Sequence, residues 1–205
     1  MRYYLILFLF LASCQTVQTP VTSPPIEPKP IETRISLSWD DGTRNSWSDA
    51  IVSITKKDLS TYLSAKDSAT FCPKFNQLTD DQKVKAIGEF WVAVAYYESG
   101  WNPKSESVDV GTQGNKESWS VGLFQMSGTD SSAKNFGYRY EKLKEPIPNI
   151  EVALFQMKKQ ILKSGVWFLP VSAPNRYWAV ILVGGKYQKI EKIKARVIKN
   201  LSLCI

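Results

Sequence analysis

The run from Thr79 to Pro103, TDDQKVKAIGEFWVAVAYYESGWNP, admits few backbone arrangements. Thr79 and Gln82 stand three apart as a capping box, in which the threonine side chain takes an early amide and the glutamine reaches back. Val84, Ile87, Trp91 and Val94 follow at helical spacing, which makes one core-facing stripe. Glu98 is the next member of that stripe. Gly100 supplies a left-handed cap and Pro103 blocks continuation. The spacing therefore predicts a long helix whose last turn carries an inward-facing carboxylate.

Burial disfavours the charged form of such a group, and the negative end of the helix dipole pushes the same way. Both effects hold a proton on Glu98 near neutral pH, the condition for a general acid. A helix-end glutamate exposed to water and paired with Lys104 fits the same letters. Composition matters here because the chain contains no histidine. That excludes Ser-His-Asp and Cys-His nucleophiles, histidine zinc sites and histidine bases. Catalysis is left to carboxylates, lysine, tyrosine or a hydroxyl, with no metal and no cofactor expected.

The first fourteen residues, MRYYLILFLFLASC, have a positive start and an apolar stretch too short to span a bilayer. Leu11-Ala12-Ser13-Cys14 resembles the lipobox of bacterial lipoproteins, which implies a signal peptide over residues 1–13 and lipidation of Cys14. An ordinary secretory cleavage with Cys14 incidental is the alternative. The implied place is the cell envelope, with a lipid anchor in the membrane, and the periplasmic face of the outer membrane in a Gram-negative cell. Residues 14–35 hold Cys14 and a linker rich in proline and threonine, whose twenty residues from Gln15 to Arg34 reach roughly 60 Å at ~3.1 Å per residue in polyproline geometry. Residues 36–205 are then the folded domain. Cys72 and Cys204 remain after Cys14, and in an exported chain they are expected to form a disulfide, two buried thiols being the alternative.

With 205 residues and 43% apolar content, the chain can bury one sizeable core. Its net charge of +7 favours anionic partners: a wall polymer, a membrane surface or nucleic acid. Ordered basic-aromatic motifs are missing and an export signal is present, which argues against nucleic acid. Beyond the long helix, Ser46 is expected to cap a helix carrying Trp47, Ile51 and Ile54, with a break near Asp58 before Leu59, Tyr62 and Leu63. Val108 and Val110 alternate towards Trp119 and Val121, which reads as a β-hairpin. Asn149 is expected to cap a helix ending at Gly165, Tyr177–Val183 to form a buried helix, and Tyr187, Ile190, Ile193 and Val197 to seam a basic amphipathic one.

Three stretches taken in order carry a family resemblance: Glu98-Ser99-Gly100, then Ser120-Val121-Gly122-Leu123-Phe124-Gln125-Met126, then Asn149-Ile150. They resemble the lytic transglycosylase domain related to goose-type lysozyme, over roughly residues 78–185. The resemblance implies a mainly α, lysozyme-like fold with a long catalytic helix, a small β-hairpin and a C-terminal helical bundle. It implies cleavage of the bond between N-acetylmuramic acid and N-acetylglucosamine in peptidoglycan, with Glu98 as acid and then base. Ser99 matches the serine that orients the glutamate, and Gly122 and Gln125 match the motif lining the sugar groove. Phe124 and Met126 read as core. The family's third motif, alanine-tyrosine-asparagine, falls on Arg176-Tyr177-Trp178, so the asparagine is lost and Tyr177 is kept, which implies a hydroxyl in contact with substrate or with the glutamate, core packing being the alternative.

Hydrolysis would need a second carboxylate ~5–9.5 Å from the acid. Asp109 is the first candidate, with Glu106, Glu117 and Asp130 behind it. The transglycosylase route needs none, because the muramic acid's own 6-hydroxyl attacks. A hydrolytic muramidase and a non-catalytic peptidoglycan-binding lipoprotein are the alternatives.

Overall fold

The computed structural model describes residues 34–108, 114–174 and 176–205. Residues 1–13, Cys14 and nearly all of the linker lie outside the described residues, as do Asp109 and Val110. The long helix α3 is Asp80–Ser99, and its capping box between Thr79 and Gln82 is formed on both sides. It is more than a stripe: Ala86 through Ala95 are all buried, so the helix runs through the core rather than along it. Helix α1 (Asn45–Lys57) packs on it from one side, and α6 (Ile190–Asn200) from another. The second long helix, α5 (Pro146–Ser164), packs against α1, α2 (Leu59–Leu63) and α4 (Ser131–Phe136).

Several local expectations are revised. Helix α1 begins at Asn45, so Ser46 lies inside it. The turn ahead of it is held by Asp41, whose Oδ1 accepts from the Thr43 N–H, the Thr43 hydroxyl and the Arg44 N–H. The break at Asp58 is present. The hairpin becomes a three-stranded antiparallel sheet of two-residue strands: β1 (Glu106–Ser107), β2 (Ser120–Val121) and β3 (Met126–Ser127). Glu106 pairs with Val121, and Val121 with Met126. Proline at the first position starts α5 three residues before Asn149, which frees that asparagine for another task.

Tyr177–Val183 is not a helix. Only Ala179–Ile181 make a short 3-10 turn, because the segment's backbone is committed to distant partners. The Val183 N–H donates to the Leu169 carbonyl and the Lys189 N–H to that of Val180. Tyr187 lies before α6 and is exposed, while Ile190, Ile193 and Val197 are buried as expected. Cys72 and Cys204 form the disulfide, with Cα atoms 4.7 Å apart across a separation of 132 residues. It ties the loop ahead of α3 to the turn after α6.

Candidate active site

The site is built from three segments distant in sequence, the first of which is the last turn of α3. That turn ends at Gly100, whose φ of +63° is the left-handed cap and whose N–H donates to the Tyr96 carbonyl at 2.9 Å. Trp101 follows at φ +65°, an uncommon conformation for a large side chain, fixed by its indole N–H donating to the Val92 carbonyl at 2.8 Å. The chain thus leaves the helix sharply just past the turn that carries Glu98.

The second segment is Val121–Gln125, between β2 and β3. Asn149, fully buried on the first turn of α5, clamps it. Its Nδ2 donates to the carbonyls of Val121 (2.9 Å) and Leu143 (2.8 Å), and its Oδ1 accepts from the Phe124 N–H at 2.8 Å. Gly122 is required beneath that clamp. A Cβ there would lie 2.3 Å from Asn149 Nδ2 and 2.5 Å from the Leu143 carbonyl oxygen, and its φ is +79°. Gly122 is therefore buried and acts by close packing, where groove lining was expected of it. Phe124 and Met126 are fully buried in the core. Gln125, at φ +51°, is half-buried, and its Nε2 donates to the carbonyls of Gly122 and Ser105. Its Oε1 has no partner among the described residues.

The Ser99 hydroxyl lies 3.0 Å from the Ala95 carbonyl and 2.9 Å from that of Leu123. It joins the helix end to the second segment and makes no hydrogen bond to the Glu98 carboxyl.

The third segment is Tyr177–Ile181. The Tyr177 hydroxyl lies 2.5 Å from Asp130 Oδ2 and 3.3 Å from the Gln125 carbonyl, and accepts from the Ser127 N–H at 3.2 Å. Burial, then the charge of Asp130, raise its pKa well above that of an ordinary phenol, and the nearby Glu98 carboxylate adds to this. Trp178 is buried, stacks edge-on against Trp91, and donates its indole N–H to the Phe124 carbonyl at 3.0 Å. A hydrogen-bond donor therefore still stands where the third motif has lost its asparagine.

Glu98 sits among these segments. Its Oε1 is buried without a hydrogen-bond partner. Burial pushes its pKa up to about 7, and the Val180 N–H pulls slightly the other way. No charged side chain among the described residues contributes, so the exposed pairing with Lys104 is not formed. The other carboxylates are occupied elsewhere. Glu106 pairs with Lys144 at 2.8 Å and accepts from the Tyr140 hydroxyl at 2.6 Å. Glu117 accepts from the Tyr140 N–H, and Asp130 from Tyr177 and the Ser127 N–H. Asp109 lies outside the described residues.

Sequence reasoning missed two parts of this wall. The Val180 N–H is a backbone donor and leaves no mark on residue choice. Asn149 was visible as a helix-start letter, but its real partners lie 28 and 25 residues away.

The family described as transglycosylase SLT domain matches residues 80–194, a span that holds all three segments and α3. Among solved structures, Bd0314 DslA in wild-type form 2 is similar with a TM-score of 0.69 at 21% identity, over 84% of this chain and 100% of that one. Two glutamate-to-glutamine mutants of DslA give TM-scores of 0.68 and 0.67 at 20% and 22% identity. They cover 84% and 81% of this chain and 100% and 95% of theirs. At such identity the likeness is one of fold. No curated protein sequence matches the chain.

Proposed function

The chain belongs to the transglycosylase SLT domain family, and from that premise we propose that it is a peptidoglycan lytic transglycosylase in which Glu98 works as acid and then as base. Membership brings action on peptidoglycan of the lytic transglycosylase type. The acid role rests on one observation: Glu98 is buried, its Oε1 has no hydrogen-bond partner, and burial pushes its pKa up to about 7.

Glu98 delivers its proton to the oxygen linking muramic acid C1 to N-acetylglucosamine, and the C1–O bond breaks as positive charge develops on the sugar. The resulting carboxylate removes the proton of the muramic acid 6-hydroxyl while that oxygen bonds to C1. The product carries a 1,6-anhydro ring, water is not consumed, and Glu98 regains its proton. Gln125 offers its Oε1, which has no partner among the described residues, to an acetamido N–H or a hydroxyl of the glycan. Tyr177, Ser99 and Gly122 hold the three segments at their spacing around Glu98. Lipidation of Cys14 would tether the domain to the envelope membrane through the linker.

Digestion of purified sacculi followed by mass spectrometry tests this reading. Anhydro-muropeptides, lost in Glu98→Gln, are the expected products. Reducing ends in their place would identify a hydrolytic muramidase. Binding to sacculi without soluble products would identify a non-catalytic wall binder.

A further inference from the structure

Helix α6 spends its apolar face on the core, where Ile190, Ile193 and Val197 are buried, and turns a basic face outwards. Lys189 at its start, then Lys192, Arg196 and Lys199, fall at i, i+3, i+7 and i+10, the spacing of a single helical stripe. None of the four is ion-paired among the described residues. The one acid of the helix, Glu191, lies about 100° round from Lys192. Arg196 lays its guanidinium 3.9 Å over the Tyr96 ring, which keeps that charge at the surface. The chain that precedes the described residues joins the domain beside the end of this helix. The Ser38 N–H and hydroxyl both donate to the buried Glu89 carboxylate of α3, at 2.8 and 2.6 Å. Asn200, the last residue of α6, donates to the same carboxylate at 3.2 Å. Leu37 packs on Gly88, where a Cβ would lie 2.6 Å from its Cδ2, and Arg34 is held by Asp49 at 2.7 Å and Asp40 at 3.0 Å. The entry point is therefore fixed next to the basic stripe.

We propose that this face of α6 docks on an anionic phospholipid surface, so that the domain is oriented on the membrane and not merely leashed to it. The inference takes its delivery from the lipid anchor proposed above for Cys14, which stands twenty residues ahead of Arg34. A tether of that kind raises the effective concentration of its target to about the millimolar range. Four cations near an anionic surface, at roughly fivefold each in partitioning, together supply on the order of 600-fold, which matches that range. The apolar stripe is occupied by the core, so the helix meets headgroups and does not insert. A wall polymer would meet the same charges, but the entry of the tether beside Asn200 keeps this face next to the membrane. Tyr96 marks the α6 side of α3, and Glu98 follows two residues later, about 200° round that helix. A membrane against α6 thus leaves Glu98 on the opposite side of α3.

Sedimentation with vesicles tests this on the chain from residue 15 onward, which keeps the whole compact unit Arg34–Ile205 and carries no acyl chain. At millimolar lipid and low salt it should bind vesicles of phosphatidylglycerol and phosphatidylcholine, ignore phosphatidylcholine alone, and come off as salt screens the charges. Lys192→Gln combined with Lys199→Gln should lower the partition coefficient roughly 25-fold. Lys134→Gln combined with Lys163→Gln, the same loss of charge on α4 and α5, should change it little. All four lysines are exposed, so the fold should persist in both variants. Because no lipid is attached, the result judges the face whether or not Cys14 is acylated. Equal losses in the two double variants would reduce the effect to net charge and overturn the proposal. Absence of binding, or equal binding to both kinds of vesicle, would overturn it too. So would displacement from vesicles by purified sacculi that the α6 variant no longer binds, which would make the face a wall site.

Discussion

Replacing Glu98 by glutamine should make the protein more stable above pH 7 and leave it nearly unchanged at pH 4.5. Burial raises the Glu98 pKa from an ordinary 4.5 to about 7. Between those values the folded chain binds the proton more tightly than the unfolded one, so unfolding free energy falls as pH rises. The stabilising contribution is fully present below pH 4.5 and lost above pH 7. At roughly 1.4 kcal/mol for each pH unit, the loss is about 3 kcal/mol. Glutamine resembles the protonated acid in shape and never ionises, so Glu98→Gln escapes this loss.

The assay is urea unfolding of both proteins, disulfide intact, at intervals from pH 4.5 to 8.5. With an m-value of about 2 kcal/mol/M, the variant's midpoint should pull ahead by roughly 1.5 M at the alkaline end. Glu89 and Asp67 are also raised by burial, but they are common to both proteins and cancel in the difference. Two parallel curves would refute the idea that Glu98 is held protonated by its surroundings. On the proposed mechanism, turnover by the wild type should fall as pH rises through about 7, where the folded Glu98 loses its proton.

Other expectations follow from the geometry. Gly122→Ala puts a Cβ against Asn149 and the Leu143 carbonyl at positive φ, so it should cost about 3 kcal/mol and most of the activity; an unchanged melting temperature would contradict the clamp. Reducing Cys72–Cys204, which closes a loop spanning 132 residues, should cost up to about 5 kcal/mol by loop entropy, and an unmoved urea midpoint would show that the bond contributes nothing. Cys14→Ala should abolish incorporation of labelled fatty acid and release the protein from membranes; label retained by the variant would place the lipid elsewhere.

The long helix was legible because its signals are local: a box three residues wide, a stripe, a glycine and a proline, all realised in Asp80–Ser99. The same holds for the stop of α5 at Gly165. The sequence also placed Glu98 inward, since burial follows from periodicity. What it could not supply is what holds the carboxyl's neighbours. Tyr177–Val183 reads as a buried helix only if its backbone pairs within the segment; beyond the short turn, the Val183 N–H goes to Leu169, the Val180 N–H to Glu98, and the Val180 carbonyl accepts from the Lys189 N–H. Asn149 reads as a cap only if Pro146 does not start the helix first.

The third motif shows why letters and roles diverge. The loss of its asparagine at Trp178 casts doubt on the groove when the motif is read as residue identities. In the structure the need at that position is a side-chain N–H that reaches the Phe124 carbonyl while the ring fills space beside Trp91, and an indole meets both conditions. The same reasoning applies to Asn149, whose three hydrogen bonds use one donor group and one acceptor oxygen on backbone atoms alone. Backbone partners carry no residue identity, so a site assembled on them is visible in sequence only at its side-chain half. Glu98 is legible because it is a side chain on a periodic stripe; its wall is not, because most of that wall is peptide.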